Sequence, residues 1–415
     1  MAEPASRIDL LNIDPYSVPL EAIDVSRAEL FQADAHWPYF ERLRREDPVH
    51  YCPESDFGAY WSVTRFEDIM RVEQDWETFS SAQGIVLGDR FEDFKTTNFI
   101  GMDPPRHDVQ RKAVQGVVAP RNLAEMQGLI RQRVQSILDG LPVGETFNWV
   151  DRVSIELTTQ MLATLFDFPF DERRKLTYWS DVATSSALTG GTMEESVRRA
   201  ELLECLETFK ALRAERVGRS EGFDLVTMLA NNPDTRDMED MEYLGNLLLL
   251  IIGGNDTTRN SISGGVLALN RNPAEYDKLR ADPGLIPKMV PEIIRWQTPL
   301  AYMRRTATRD AELGGKRIRA GDKLVMWYVS GNRDPDAIDR PEEFIIDRPD
   351  SRHHLSFGFG VHRCMGNRLA EMQLRILWEE ILTRFHMVEV VGEPVRVLSN
   401  FVRGYAELPV RLHPH

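Results

Sequence analysis

Cysteine is scarce in this chain. Three in 415 residues (Cys52, Cys205 and Cys364), odd in number and far apart, exclude a disulfide framework and point to a reducing compartment, the cytoplasm. Long apolar runs are also missing. The longest aliphatic stretch, residues 247–252, is far too short to span a bilayer. The first thirty residues mix acids with prolines and lack both a basic and an apolar signal region, so neither signal peptide nor membrane anchor is expected. Positive charge is in deficit: 50 Lys and Arg against 65 Asp and Glu give a formal net charge of −15, which repels nucleic acid and anionic membranes. There is no internal repeat, low-complexity block or Gly/Ser linker. The chemistry-bearing residues are spread from about 100 to 370, so one domain over 1–415 is expected, an α-rich lobe plus a smaller β-containing lobe.

What is present is ample apolar material, 42% of the chain, for a large core. Helical spacing predicts helices over 123–141, 153–166, 194–216, 240–270, 285–296 and 368–385. Shorter strand-like pieces fall at 49–51, 60–63, 317–318, 323–327 and 388–391. The fold class is therefore mainly α with small β-sheets.

The most informative stretch is FGFGVHRCMG, residues 357–366, which sets Cys364 among glycines, beside a histidine and an arginine, just ahead of a helical segment. A thiolate that binds haem iron needs a turn pressed close to the porphyrin, which Gly358, Gly360 and Gly366 permit. The N-terminal N–H groups of the following helix would steady the anionic sulfur. A lone free cysteine is ordinarily a buried structural one; ten residues in the pattern F-G-x-G-x-[HR]-x-C-x-G argue otherwise. This loop closely resembles the ligand loop of the cytochrome P450 superfamily of monooxygenases, which implies that fold, haem b (iron protoporphyrin IX) as cofactor, and Cys364 as axial ligand, with Phe357 and Gly358 against the ring.

A second segment, 243–270, is apolar at both ends and polar in its middle (Gly253 to Asn260). Two adjacent glycines in a helix cost about 2 kcal/mol relative to alanines, so an interruption or groove opposite the haem is expected. Residues 253–258 resemble the family's oxygen-activating helix, G-G-x-[DE]-T-[TS]. The resemblance implies that Thr257 orders dioxygen and its waters while Asp256 relays protons.

Further positions carry over from the same resemblance. EIIR (Glu292, Arg295) matches the family's E-x-x-R, and Arg348 matches the arginine completing a buried triad; taken alone, such a pair is usually a surface salt bridge. Cationic or hydrogen-bonding partners for two haem propionates are expected at His107 and Arg111, from MDPPRHDVQRK, at Arg305 and at His362, with Arg304 as the neighbouring alternative to Arg305.

Several segments, among them VSIELTTQMLATLFDFP, IIGGNDTTRNSISGGVLALN and VMWYVSGNRDP, look like the soluble bacterial hydroxylases that oxidise the terminal methyl of medium-chain n-alkanes. Terminal selectivity requires a narrow apolar pocket, because a primary C–H bond is stronger than its secondary neighbours. Candidate walls are Leu249, Ile252 and Gly253; Leu300, Ala301 and Met303; Ile85, Val86 and Leu87; Phe401 and Val402. The loops at 79–100 and 186–194 match least well and bear on chain length. Rival substrates are fatty acids at their ω end, terpenoids or steroids; a peroxide-driven enzyme and a non-catalytic haem sensor are more remote alternatives. The chain has no flavin or nicotinamide fingerprint, so a separate ferredoxin and its NAD(P)H-dependent reductase are implied. Their docking face is expected around Lys112, Arg363 and Arg106.

Overall fold

The computed structural model describes residues 8–219, 222 and 224–415. Residues 1–7, the start of the segment expected to carry no signal, lie outside them. No helix among the described residues is long and apolar enough to cross a membrane.

The expected helices form close to their predicted limits: Pro120–Asp139, Glu156–Phe166, Glu195–Arg216, Asp240–Arg271, Ile286–Gln297 and Asn367–Arg384. A π-helical turn, Val150–Ile155, leads into Glu156–Phe166. Shorter helices, including Phe66–Gln74, Arg106–Gln115 and Arg174–Thr184, escaped the periodicity reading; in the first two, one apolar stripe is interrupted by charge, at Glu73 and Arg111. The central helix Asp240–Arg271 is buried along most of its length and packs against Glu156–Phe166, Arg174–Thr184 and Ile286–Gln297. A helix surrounded in this way shows apolar residues on most faces, as its sequence does.

Sheets occupy one side. Five strands run in the order Val49–Cys52, Tyr60–Val63, Lys323–Met326, Met303–Ala307, Phe79–Ser80; only the second and third pair in parallel. A three-stranded antiparallel sheet joins Thr146–Asn148, Pro409–Pro414 and Phe385–Val390. The hairpin Ala311–Leu313/Lys316–Ile318 turns at Gly314 and Gly315, both with positive φ as a tight two-residue connection demands. The largest apolar core lies between the helices, and a second one gathers Phe31, Phe40, Tyr302, Trp327 and Phe401 beneath the sheet.

Candidate active site

The loop around Cys364 is built by its backbone. The amide of Cys364 donates to the carbonyl of Phe357 at 2.8 Å, and the helix Asn367–Arg384 starts three residues later. Gly358 and Gly360 both adopt φ +65°. A Cβ on Gly360 would stand 2.3 Å from the carbonyl oxygen of Glu73, so no side chain fits there. Cys364 lines a cavity shared with Phe357, Gly358, His362 and Met365. Burial pushes its thiol up, while the N–H groups of Gly366 and Asn367 and the Arg111 guanidinium pull the other way. The other two cysteines are buried; burial drives Cys52 up to about 12.

Beside this sulfur the chain gathers cationic and imidazole groups. Arg111 lines the cavity and its Nη2 donates to the Arg363 carbonyl at 2.6 Å. Arg305 also lines it, pairing with Glu73 at 2.8 Å. His362 Nε2 lies 3.0 Å from Ser81 Oγ, and its Nδ1 is buried without a partner. His107 does not reach the cavity; its ring packs edge-on to His362 at 4.5 Å, with Nδ1 2.8 Å from Asp108 and Nε2 buried without a partner. Burial, then the charges of Arg305, His107 and Arg111, drives His362 down to about 2. Burial likewise lowers His107 and Arg111. The orphaned ring nitrogen of His362 and the two arginines on the cavity wall make a place for carboxylates, and the sulfur offers a single soft ligand beside an apolar space. These donors fit haem b: Cys364 would hold the iron, and Arg111, Arg305 and His362 the propionates, with His107 packed against His362 outside the cavity.

Arg304 is excluded from that set by strand alternation. Met303 and Arg305 face the cavity, whereas Arg304 points away and pairs with Asp89 at 2.8 Å.

The opposite wall is the central helix, which presents Leu249, Leu250, Gly253, Gly254, Thr257, Thr258 and Ser261. The expected interruption is absent: the helix runs unbroken through all 32 residues. Its polar groups are satisfied in place instead. Thr257 Oγ1 donates to the Gly253 carbonyl, and Ser261 Oγ to the Thr257 carbonyl, both at 2.8 Å. The glycines serve different ends. A Cβ on Gly253 would meet nothing within 4 Å, so this glycine leaves room, while one on Gly254 would stand 2.8 Å from Leu162 Cδ2, so that glycine permits close helix packing.

Asp256 lies behind this wall, fully buried. Arg259 Nη2 pairs with its Oδ1 at 2.8 Å, Asn255 Nδ2 donates to the same oxygen at 3.2 Å, and Oδ2 has no partner. Thr158 Oγ1 in turn donates to Asn255 Oδ1 at 2.8 Å. Burial raises the Asp256 carboxyl to about 6, against the pull of Arg259.

Of the candidate substrate walls, Ile85, Leu249, Gly253, Leu300 and Met303 line the cavity. Ile252, Val86, Leu87, Ala301, Phe401 and Val402 do not. Ile252 falls between the helical positions that face inward. Ala301 follows Leu300 in extended chain and turns the other way, its amide held by the Phe401 carbonyl at 2.8 Å. It joins Leu87, Phe401 and Val402 in the second core, with Val86 packed against it. Phe99 and Ile100, at the end of the weakly matching 79–100 segment, and residues without a sequence signal, among them Val118, Met161, Leu165 and Leu225, complete the wall.

Glu292 and Arg295 form a fully buried pair at 2.8 Å, joined by Arg348 at 3.1 Å. Arg295 also donates to the carbonyls of Asn332 and Pro341 at 2.8 and 2.9 Å. The cluster thereby ties Ile286–Gln297 to the segment that leads into the ligand loop.

The chain is similar to known proteins in both sequence and fold. Residues 284–403 match the family model described as Cytochrome P450. The chain is 34% identical to linalool 8-monooxygenase of Pseudomonas putida, covering 95% of this chain and all of that protein. Two solved structures are similar: cytochrome P450-153 from Novosphingobium aromaticivorans (45% identity, 94% of this chain and 99% of that one, TM-score 0.89) and CYP153D17 from Sphingomonas sp. PAMC 26605 (47%, 94% and 98%, 0.89).

Proposed function

Because the chain belongs to the cytochrome P450 family, we propose that this monooxygenase hydroxylates the terminal methyl of medium-chain n-alkanes in the cytoplasm, with electrons from a ferredoxin. The observation that carries the reading is one apolar cavity with Cys364 on one wall and Gly253 and Thr257 on the other. Haem b, when bound, supplies the activation of dioxygen; the overall balance is R–H, O2, two electrons and two protons to R–OH and water.

The chain's own residues then have distinct tasks. Asp256, at about 6, is poised to hold and release a proton near neutrality. Thr158 and Asn255 fix its carboxyl, and Arg259 links it to Asp181, whose side chain is half exposed. Thr257 keeps its hydroxyl on the cavity side of the helix. Ile85, Leu249, Leu300 and Met303 exclude water and present a chain end.

Charge favours a hydrocarbon over a fatty acid. Among the described residues, the only Arg, Lys, Asp or Glu lining the cavity are Glu73, Arg111 and Arg305, all on the Cys364 side. A carboxylate entering from the roof finds no cation. The alkane reading also draws support from the sequence resemblance and from the likeness to the two P450-153 structures.

For the redox partner, Lys112 and Arg363 are exposed, whereas Arg106 is spent on Glu242 at 2.6 Å. We place ferredoxin docking on the first two.

The test is product analysis of n-octane turnover with a surrogate ferredoxin, reductase and NAD(P)H, normalised to haem showing thiolate-type carbon monoxide binding. Mostly 1-octanol is expected. Internal alcohols, or faster turnover of linalool or dodecanoate in the same assay, would overturn the alkane assignment.

A further inference from the structure

Glu73 takes no part in the reading above, yet it is one of the few charged residues on the cavity wall. It lies near the end of the helix Phe66–Gln74, on the same stripe as Phe66 and Ile69, and is 1% exposed. A buried carboxylate is costly unless paired. This one is paired twice: Oε2 lies 2.8 Å from Arg305 Nη2, and Oε1 accepts the hydroxyl of Tyr328. Burial, then the Glu73 charge, holds the Tyr328 hydroxyl well above its ordinary range, so it stays a donor. Arg305 and Tyr328 line the same cavity. The ligand loop leans on Glu73 from the other side: Gly360 abuts its carbonyl, and a Cβ on Gly358 would lie 3.5 Å from Oε1.

We propose that Glu73 is a positioning residue of the haem site, which holds Arg305 toward the porphyrin edge and lowers the reduction potential of the iron by a fixed negative charge beside the ligand loop. The proposal rests on the haem-thiolate reading and on Arg305 facing a propionate. Taking up one electron converts ferric to ferrous iron and removes one positive charge. A nearby carboxylate in a low-dielectric pocket opposes that step, and a guanidinium it partly neutralises helps the step less.

The experiment is a mediated redox titration of the full haem-loaded chain, followed by its absorption spectrum. Glu73→Gln keeps the shape and removes the charge; its potential is expected to shift positive with the thiolate-type carbon monoxide band intact. An unchanged or more negative potential, with that band intact, overturns the proposal. Should Glu73→Gln fail to load haem, Tyr328→Phe provides a second reading. It leaves the carboxylate less neutralised, so its potential is expected to shift negative, and an unchanged or positive shift overturns the proposal. A role in packing alone does not produce shifts of opposite sign. The carbon monoxide spectrum of the parent chain tests the haem-thiolate reading separately.

Discussion

Arg259 stands one helical turn beyond Asp256 and holds its carboxylate at 2.8 Å while also reaching Asp181 on a different helix. The proton-bearing group and the helix Arg174–Thr184 therefore share one guanidinium.

Burial raises the Asp256 carboxyl to about 6, so it stays protonated through most of the acid range in which an ordinary carboxyl has ionised. Product formed per NAD(P)H consumed should fall as pH rises through about 6. Asp256→Asn should abolish that inflection and slow product formation about 100-fold, with an unaltered haem spectrum. The same shift acts on stability. The native carboxyl takes up its proton first on acidification, so the favourable contribution is present below about pH 4 and is lost as pH rises through about 6. Thermal midpoints of parent and variant, compared at pH 4.5 and 7.5, should show the parent gaining relative to Asp256→Asn at the acid end.

Glu292→Gln should leave Arg295 and Arg348 as buried, unpaired charges. Destabilisation of about 3–5 kcal/mol is expected, with release of haem at lower denaturant than the parent. Chemical denaturation followed by absorbance checks both. An unchanged midpoint would mean that the triad holds nothing in place.

Two glycine substitutions should behave oppositely. Gly360→Ala forces a Cβ onto the Glu73 carbonyl at a positive φ, and should cost at least about 1–3 kcal/mol with loss of the thiolate-type spectrum. Gly253→Ala meets open space and should stabilise the central helix by up to about 1 kcal/mol. The added methyl occupies the cavity, so turnover of n-octane should drop while haem content stays constant.

Arg305→Gln should weaken haem retention about tenfold or more, the worth of a charge-assisted hydrogen bond. Arg304→Gln should leave it unchanged, since that side chain is tied to Asp89. Transfer of haem to apomyoglobin gives the comparison directly.

What was legible in the chain was local. The ligand loop is contiguous, its glycines and Cys364 carry their geometry within ten residues, and the helix after it follows at once. The E-x-x-R spacing was visible, but its full burial was not, because burial depends on Arg348 and on carbonyls some forty residues away. The unbroken central helix contradicts the expected interruption because Thr257 and Ser261 return their hydroxyls to the helix itself. Arg305 and Arg304 were separable only by knowing the phase of a strand. The strand starts only at Met303, so a period-two reading carried from Leu300 would have rejected Met303 and Arg305 along with Ala301. Glu73 did leave a trace, an acid on the apolar stripe of an amphipathic helix, but its partners Arg305 and Tyr328 are more than two hundred residues away.

The cavity has two sides made in different ways. Around Cys364 the contacts are backbone on backbone, with glycines that admit no replacement at Gly360, and a neighbouring triad locked by carbonyls. The roof is a mosaic of side chains from Ile85, Phe99, Leu249, Leu300 and Met303, supplied by separate segments. Variation can therefore accumulate on the roof without disturbing the sulfur: one reactive centre can be inherited intact while the shape of what it accepts diverges.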